Sequence, residues 1–189
     1  ALALPGGKIF VTNNGGLKFL ERPGKLFPVL QADDYTGGSI QVVDPETGKF
    51  ETLYDRCEGQ SLRGPNDLVF DGAGGFWFTD LGKTRERDSD RGVVYYAKAD
   101  GSMICEAIFP LERPNGIGLS PDDKTLYVVE TPTARCWAFH LSAPGEIESA
   151  NGPYRGEKGK VVIGLGGYQM FDSLAVDGEG HVCAATLIT

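Results

Sequence analysis

One short pattern occurs four times along the chain, and this repetition constrains the fold more than any other feature. In each copy an apolar segment leads through a turn of Asp, Gly or Pro into a second apolar segment that ends in a polar residue. The second segments begin at Ile9, Phe76, Leu126 and Val182, so successive copies are 67, 50 and 56 residues apart. A hairpin that recurs about every 50 residues is typical of a β-propeller blade.

Between these hairpins lie further short apolar segments that supply the other two strands of each period. They cover residues 39–44, 93–98, 104–109, 136–140 and 160–164. Glycine accounts for 27 of the 189 residues, which suits a fold with many tight turns, and no segment shows a helical apolar period. The sequence therefore predicts an all-β fold, a β-propeller with about four blades' worth of chain.

The ends of the repeats predict how the chain is organised. It starts inside a repeat and stops after a second strand, so we expect residues 1–189 to form a single propeller sector, incomplete at both ends, and not a closed ring. The two longer spacings are absorbed by residues 17–34 and 142–160, which predict surface loops.

The charge of the chain disfavours several partners, and its cysteine content bears on its location. The formal net charge is −8, which disfavours nucleic acid and anionic membranes and suits a protein that binds a cation. No apolar segment reaches the length of about 18 residues that a membrane-spanning helix needs. The four cysteines include no Cys-x-x-Cys pair, which favours a reducing, cytoplasmic location. The oligomeric state is left open.

Three polar residues stand at matched positions before the second strands. Asn66 lies ten residues before Phe76, Asn115 eleven before Leu126, and Asp172 ten before Val182. Because equivalent positions of propeller blades are related by rotation about one axis, we expect these side chains to converge. Turn chemistry explains one such motif, but not three in register. Amide and carboxylate oxygens suit Ca²⁺ or Mg²⁺.

The loop 81–92 is predicted to lie over the same face as these residues, because it follows the strand that returns towards Asn66. Its run of charges fits two interpretations, a solvated loop or a lid over a substrate.

Several motifs resemble the SMP-30/gluconolactonase/luciferin-regenerating-enzyme family of six-bladed propellers. They are residues 65–71 with 75–80, residues 114–117 with 120–122 and 126–131, and residues 171–173 with 176–177. The resemblance covers essentially the whole chain, which would correspond to an internal fragment, blades two to five.

This resemblance implies a site and an activity. Family members hold one divalent cation, usually Ca²⁺, with a glutamate, two asparagines and an aspartate. Asn66 and Asn115 match the asparagine ligands, Asp172 matches the aspartate that is both ligand and catalytic residue, and the glutamate would precede Ala1. The implied function is a calcium-dependent sugar-lactone lactonase, in which Ca²⁺ polarises the carbonyl of a small-molecule lactone and Asp172 activates water. The residues that contact substrate are not assigned.

Two other functions fit the same residues. An organophosphate-ester hydrolase would use the same metal site, and a non-catalytic propeller would present one face to a protein partner.

Overall fold

A computed structural model describes residues 2–3, 7–148 and 159–188, and its regular structure is entirely β. The strands, in chain order, are β1 (Leu2–Ala3), β2 (Ile9–Asn13), β3 (Leu17–Arg22), β4 (Lys25–Gln31), β5 (Ser39–Val43), β6 (Phe50–Tyr54), β7 (Arg56–Cys57), β8 (Gln60–Ser61), β9 (Pro65–Phe70), β10 (Gly75–Asp80), β11 (Gly92–Lys98), β12 (Ile104–Leu111), β13 (Pro114–Leu119), β14 (Thr125–Glu130), β15 (Arg135–Ala143), β16 (Glu146–Ile147), β17 (Lys160–Gly164), β18 (Met170–Val176) and β19 (Val182–Ile188).

The main sheets are antiparallel meanders, in which strands that follow each other in the repeat pair side by side. Blade 1 has the order β1-β2-β5-β6, blade 2 the order β9-β10-β11-β12, and blade 3 the order β13-β14-β15-β17. The pair β18-β19 is the start of blade 4. This is the architecture of propeller blades, as the repeats predict. Among the described strands, none of blade 1 pairs with β18 or β19. The expectation that the chain forms an open sector and not a closed ring stays a prediction.

The core lies between the blades, and the central strand β10 is buried on both faces along its whole length. Alternate residues of β10 point to opposite sides, as the period of two in a strand requires. Phe76 and Phe78 pack into a cluster with Phe10 of blade 1, whereas Trp77 packs with Leu126 of blade 3. Burial of each such side chain stabilises the fold by about 1.5–3 kcal/mol.

The segment 17–34 corrects one prediction, because it forms the hairpin β3–β4 and not an irregular loop. Pro23 and Gly24 form its turn, and Gly24 has a φ of 75°, which favours glycine. Phe19 and Leu26 of this hairpin are more than half exposed. Within the segment 142–160, the short strand β16 forms, and residues 149–158 lie outside the described residues. The fourth strand of blade 1, β6, was also not predicted.

In the part of the chain that the structure describes, there is no helix with the length and apolar character needed to cross a bilayer.

Candidate functional site

The inner strands of three blades meet around one cavity. Strand β13 contacts both β9 and β18, and residues of these three strands line a cavity of about 180 Å³. All three begin their blades, so their first residues lie at the same end of this cavity. A larger cavity, of about 460 Å³, is lined by Lys8 and by residues of the segment 42–51 in blade 1, and it has no lining residue in common with the smaller one.

The three residues singled out in the sequence are in contact at these strand beginnings. The Nδ2 of Asn66 donates to the Oδ1 of Asn115, and the Nδ2 of Asn115 donates to the Oδ1 of Asp172 at 2.9 Å. The structure therefore brings together all three candidate site residues, in the order of their blades. We call Asn66, Asn115 and Asp172 the polar triad.

Hydroxyl groups of the second strands of blades 1 and 2 hold the backbone of Asn66 and Asn115. The Oγ1 of Thr12 in β2 donates to the carbonyl oxygen of Asn66 at 2.6 Å, and the Oγ1 of Thr79 in β10 donates to that of Asn115 at 2.6 Å. The Oγ1 of Thr131 accepts from the Nδ2 of Asn115 at 3.0 Å. The beginnings of β9 and β13 are therefore each anchored to the preceding blade.

Two buried carboxylates hold the loops that lead into β9 and β13. Asp80 accepts hydrogen bonds from the backbone N–H groups of Arg63, Gly64 and Gly82 at 2.6–2.8 Å. Burial raises the pKa of the Asp80 carboxyl, and these hydrogen bonds oppose the rise. Glu130 accepts from the N–H of Glu112 at 2.7 Å. The sequence reasoning missed both roles, although an acid ends the second strand in both repeats.

A further carboxylate near the triad was also missed. The Oδ2 of Asp67 accepts from the backbone N–H of Ile117 at 3.2 Å, which joins blade 2 to blade 3. Burial is the main cause that raises the pKa of Asp67, and the charge of Asp172 raises it further. Its position directly after Asn66 is the signal that could have found it.

The loop 81–91 lies beside this end of the blades. The backbone N–H of Leu81 donates to the carbonyl oxygen of Gly64 at 3.0 Å, and Thr84 accepts from the N–H of Gln31 at 2.8 Å. The Nη1 of Arg113 donates to the Oγ1 of Thr84 at 3.1 Å. The loop thus contacts the segments that precede Asn66 and Asn115, while a role as a lid stays a prediction.

The chemistry of the triad fits a hard cation. The described residues contain no group of three or more His, Cys, Asp or Glu that could hold a metal ion, and this site includes one such residue, Asp172. It offers one carboxylate and two amide oxygens, which are ligands typical of Ca²⁺. In the arrangement described, the Oδ1 of Asn115 accepts from Asn66, so cation binding at this oxygen requires that hydrogen bond to open.

Fold and site together define the class: an antiparallel β-propeller whose inner strands carry oxygen donors at one end of the axis. The chain belongs to the family described as SMP-30/Gluconolactonase/LRE-like region, whose model matches residues 1–189. This membership agrees with the resemblance seen in the sequence motifs.

Individual relatives agree with this assignment. The chain is 31% identical over 192 residues to a gluconolactonase of Zymomonas mobilis, covering 96% of the chain and 51% of that protein. It is 31% identical over 114 residues to the diisopropyl-fluorophosphatase of Loligo vulgaris, covering 54% of the chain and 36% of that protein. The structure matches the gluconolactonase XC5397 of Xanthomonas campestris with a TM-score of 0.62 and 27% identity, covering 77% and 48% of the two chains. The chain spans about half the length of the first of its curated relatives.

Proposed function

We propose that the protein is a calcium-dependent hydrolase of sugar lactones. The observation that carries this proposal is the contact among Asn66, Asn115 and Asp172 at the beginnings of three inner strands. The similarity to a gluconolactonase supports the choice of substrate class. Small-molecule lactones are accordingly the proposed substrates.

The triad would supply three of the ligands of the cation. They are the Oδ1 atoms of Asn66 and Asn115 and the carboxylate of Asp172, and a glutamate that precedes Ala1 is the proposed fourth. A calcium ion bound there would supply a Lewis acid that polarises the lactone carbonyl and stabilises the developing oxyanion.

Asp172 is the residue of the triad that accepts a proton. Its Oδ1 accepts from Asn115, while its Oδ2 has no hydrogen-bond partner among the described residues. The Oδ2 would take a proton from water as the water oxygen attacks the carbonyl carbon, and then give it to the ring oxygen as the ring bond breaks. Asn115 orients the carboxylate during both transfers.

Hydrolysis of organophosphate esters is the second candidate, because the relative from Loligo vulgaris is a diisopropyl-fluorophosphatase. The same triad would serve this reaction, with a phosphoryl oxygen in place of the carbonyl oxygen. A non-catalytic propeller is less well supported, because such a protein needs no aligned polar side chains at the inner strand ends.

The test is hydrolysis of glucono-δ-lactone and of diisopropyl fluorophosphate by the full-length protein, with calcium and after chelation. At saturating calcium, we expect Asp172→Asn to lower kcat for the lactone by about 10²–10⁴-fold, the usual effect of losing a positioned base. The control Asn66→Asp keeps the base and should retain more activity. A kcat of Asp172→Asn near the wild-type value would show that Asp172 is not the base.

Calcium binding is measured separately by thermal unfolding. A ligand at a hundredfold its Kd stabilises the native state by about 2.7 kcal/mol. Equal melting temperatures with calcium and with chelator would contradict the metal site, whatever the activity.

A further inference from the structure

Arg113 is a partly buried cation without an anionic partner. It lies two residues before Asn115, in the segment that leads into β13, and no carboxylate of the described residues forms an ion pair with it. A guanidinium has five N–H donors. The guanidinium of Arg113 donates one of them, from Nη1, to the neutral Oγ1 of Thr84. Burial lowers the pKa of Arg113.

Lys83 is a second such cation close by. The residue is 2% exposed, and its Nζ donates to the carbonyl oxygen of Gly16 at 2.8 Å and lies 5.0 Å from the ring centroid of Tyr35. Arg113 donates to Thr84, the residue that follows Lys83, so the two cations are near each other. Burial is the main cause that lowers the pKa of Lys83, the charges of Asp80 and Asp90 oppose this fall, and the charge of Arg113 adds to it.

The acids in this region are already engaged. Asp80 accepts three backbone N–H groups, and Asp90 is bound by the guanidinium of Arg85 through both of its oxygens, at 2.9 and 3.2 Å. The positive charge of Arg113 is therefore not neutralised by a side chain of the described region.

The backbone at Arg113 adds an independent observation. Its φ is 50°, in the left-handed region that residues other than glycine seldom adopt. The turn is held on both sides, because Glu130 binds the N–H of Glu112 and the N–H of Thr131 donates to the carbonyl oxygen of Arg113 at 3.2 Å. A long cationic side chain thus stands where the backbone favours glycine, as at many functional positions.

A desolvated charge is costly unless it is paired, and the chain as a whole repels anions with its net charge of −8. We propose that Arg113, with Lys83 beside it, binds an anionic substituent, a carboxylate or a phosphate, of a substrate whose reacting group lies at the polar triad. This inference rests on the proposed function and narrows its substrates to acidic lactones.

The test compares kcat/KM of the full-length protein for neutral glucono-δ-lactone, glucaro-1,4-lactone and 6-phosphogluconolactone. We expect Arg113→Met to lower the ratio of acidic to neutral kcat/KM by about 10- to 100-fold, the usual value of charge-assisted hydrogen bonds. Arg113→Lys should restore part of the ratio. The exposed Arg87 of the loop 81–91 provides the control Arg87→Met, which should keep the wild-type ratio.

The acidic lactone whose kcat/KM falls more in Arg113→Met shows whether the carboxylate or the phosphate is the preferred group. An unchanged ratio in Arg113→Met, or a wild type that does not favour either acidic lactone, would overturn the inference. If no lactone is hydrolysed, the proposed function fails, and calorimetric binding of D-glucarate and 6-phosphogluconate decides the inference separately. At least tenfold weaker binding of one of them by Arg113→Met supports it, and equal binding or no binding by the wild type refutes it.

Discussion

Blades 2 and 3 place a carboxylate at the same position but use side chains of different length. In blade 2 the shorter Asp80 accepts three backbone N–H groups, including that of Gly64, while in blade 3 the longer Glu130 accepts one, that of Glu112. Glu130 also accepts from the hydroxyl of Thr133. Both carboxylates hold the segment that enters the inner strand of their own blade. Both blades therefore use a carboxylate to anchor the segment before the inner strand, although the residue that supplies it differs.

The entering segments differ in the same way. Gly64 and Arg113 both stand two residues before the asparagine of their blade. A Cβ on Gly64 would lie 2.6 Å from the carbonyl oxygen of Gly82, so blade 2 has no room for a side chain there. Blade 3 has that room and accommodates Arg113 at a left-handed φ. At this position blade 2 is packed too tightly for a side chain, whereas blade 3 carries the cationic side chain of Arg113.

The largest expected effect on stability comes from the two carboxylates. Asp80→Ala should lower the free energy of unfolding by about 3 kcal/mol or more, because it leaves three N–H groups without a partner, each costing about 1–3 kcal/mol when buried. Glu130→Ala should cost about 1–2 kcal/mol on the same basis. Urea unfolding measures both. Equal losses would break the comparison between the blades, and Asp80→Asn, which keeps one acceptor oxygen, should fall between wild type and Asp80→Ala.

A smaller effect is expected at the positions before the asparagines. Gly64→Ala should destabilise the protein by about 1–3 kcal/mol, because the added methyl group meets a backbone oxygen that cannot move away freely. Arg113→Gly should change the free energy of unfolding by less than about 1 kcal/mol, since relief of the left-handed backbone offsets the entropy that glycine adds to the unfolded chain. Thermal unfolding of both variants checks the difference. An unchanged free energy of unfolding in Gly64→Ala would mean that the segment before β9 has room for a methyl group beside Gly82.

The smallest effect is expected at the residue directly before each carboxylate, which is Thr79 in blade 2 and Val129 in blade 3. Thr79→Val removes the hydroxyl that donates to Asn115 and accepts from the N–H of Asp67, so we expect a loss of about 1–2 kcal/mol. Val129→Thr should cost less than about 1 kcal/mol, because the new hydroxyl would face the backbone of Asp172 at the equivalent place. A larger cost for Val129→Thr than for Thr79→Val would show that the equivalence ends before blade 4.

The sequence was sufficient to predict the repeated blades, apart from β6, and the meeting of the triad, because both follow from periodicity. A residue at a fixed offset in each repeat must lie at the same end of the propeller. The sequence alone therefore predicts that Asn66, Asn115 and Asp172 lie close together. The roles of Asp80 and Glu130 could not be derived in this way, since they depend on which loop backbone each carboxylate reaches. The hairpin β3–β4 was missed because its exposed apolar residues pair only with each other and carry no repeat signal.

The burial of β10 on both faces has a consequence for how this region folds. The side that carries Phe76 and Phe78 belongs to one interblade core and the side that carries Trp77 to the next. Removal of blade 1 or of blade 3 would therefore expose a strand that also forms a wall of the other core. Blades joined in this way unfold as a coupled series of neighbours, each stabilised through the shared strand, and a local defect in one interface is transmitted to the next.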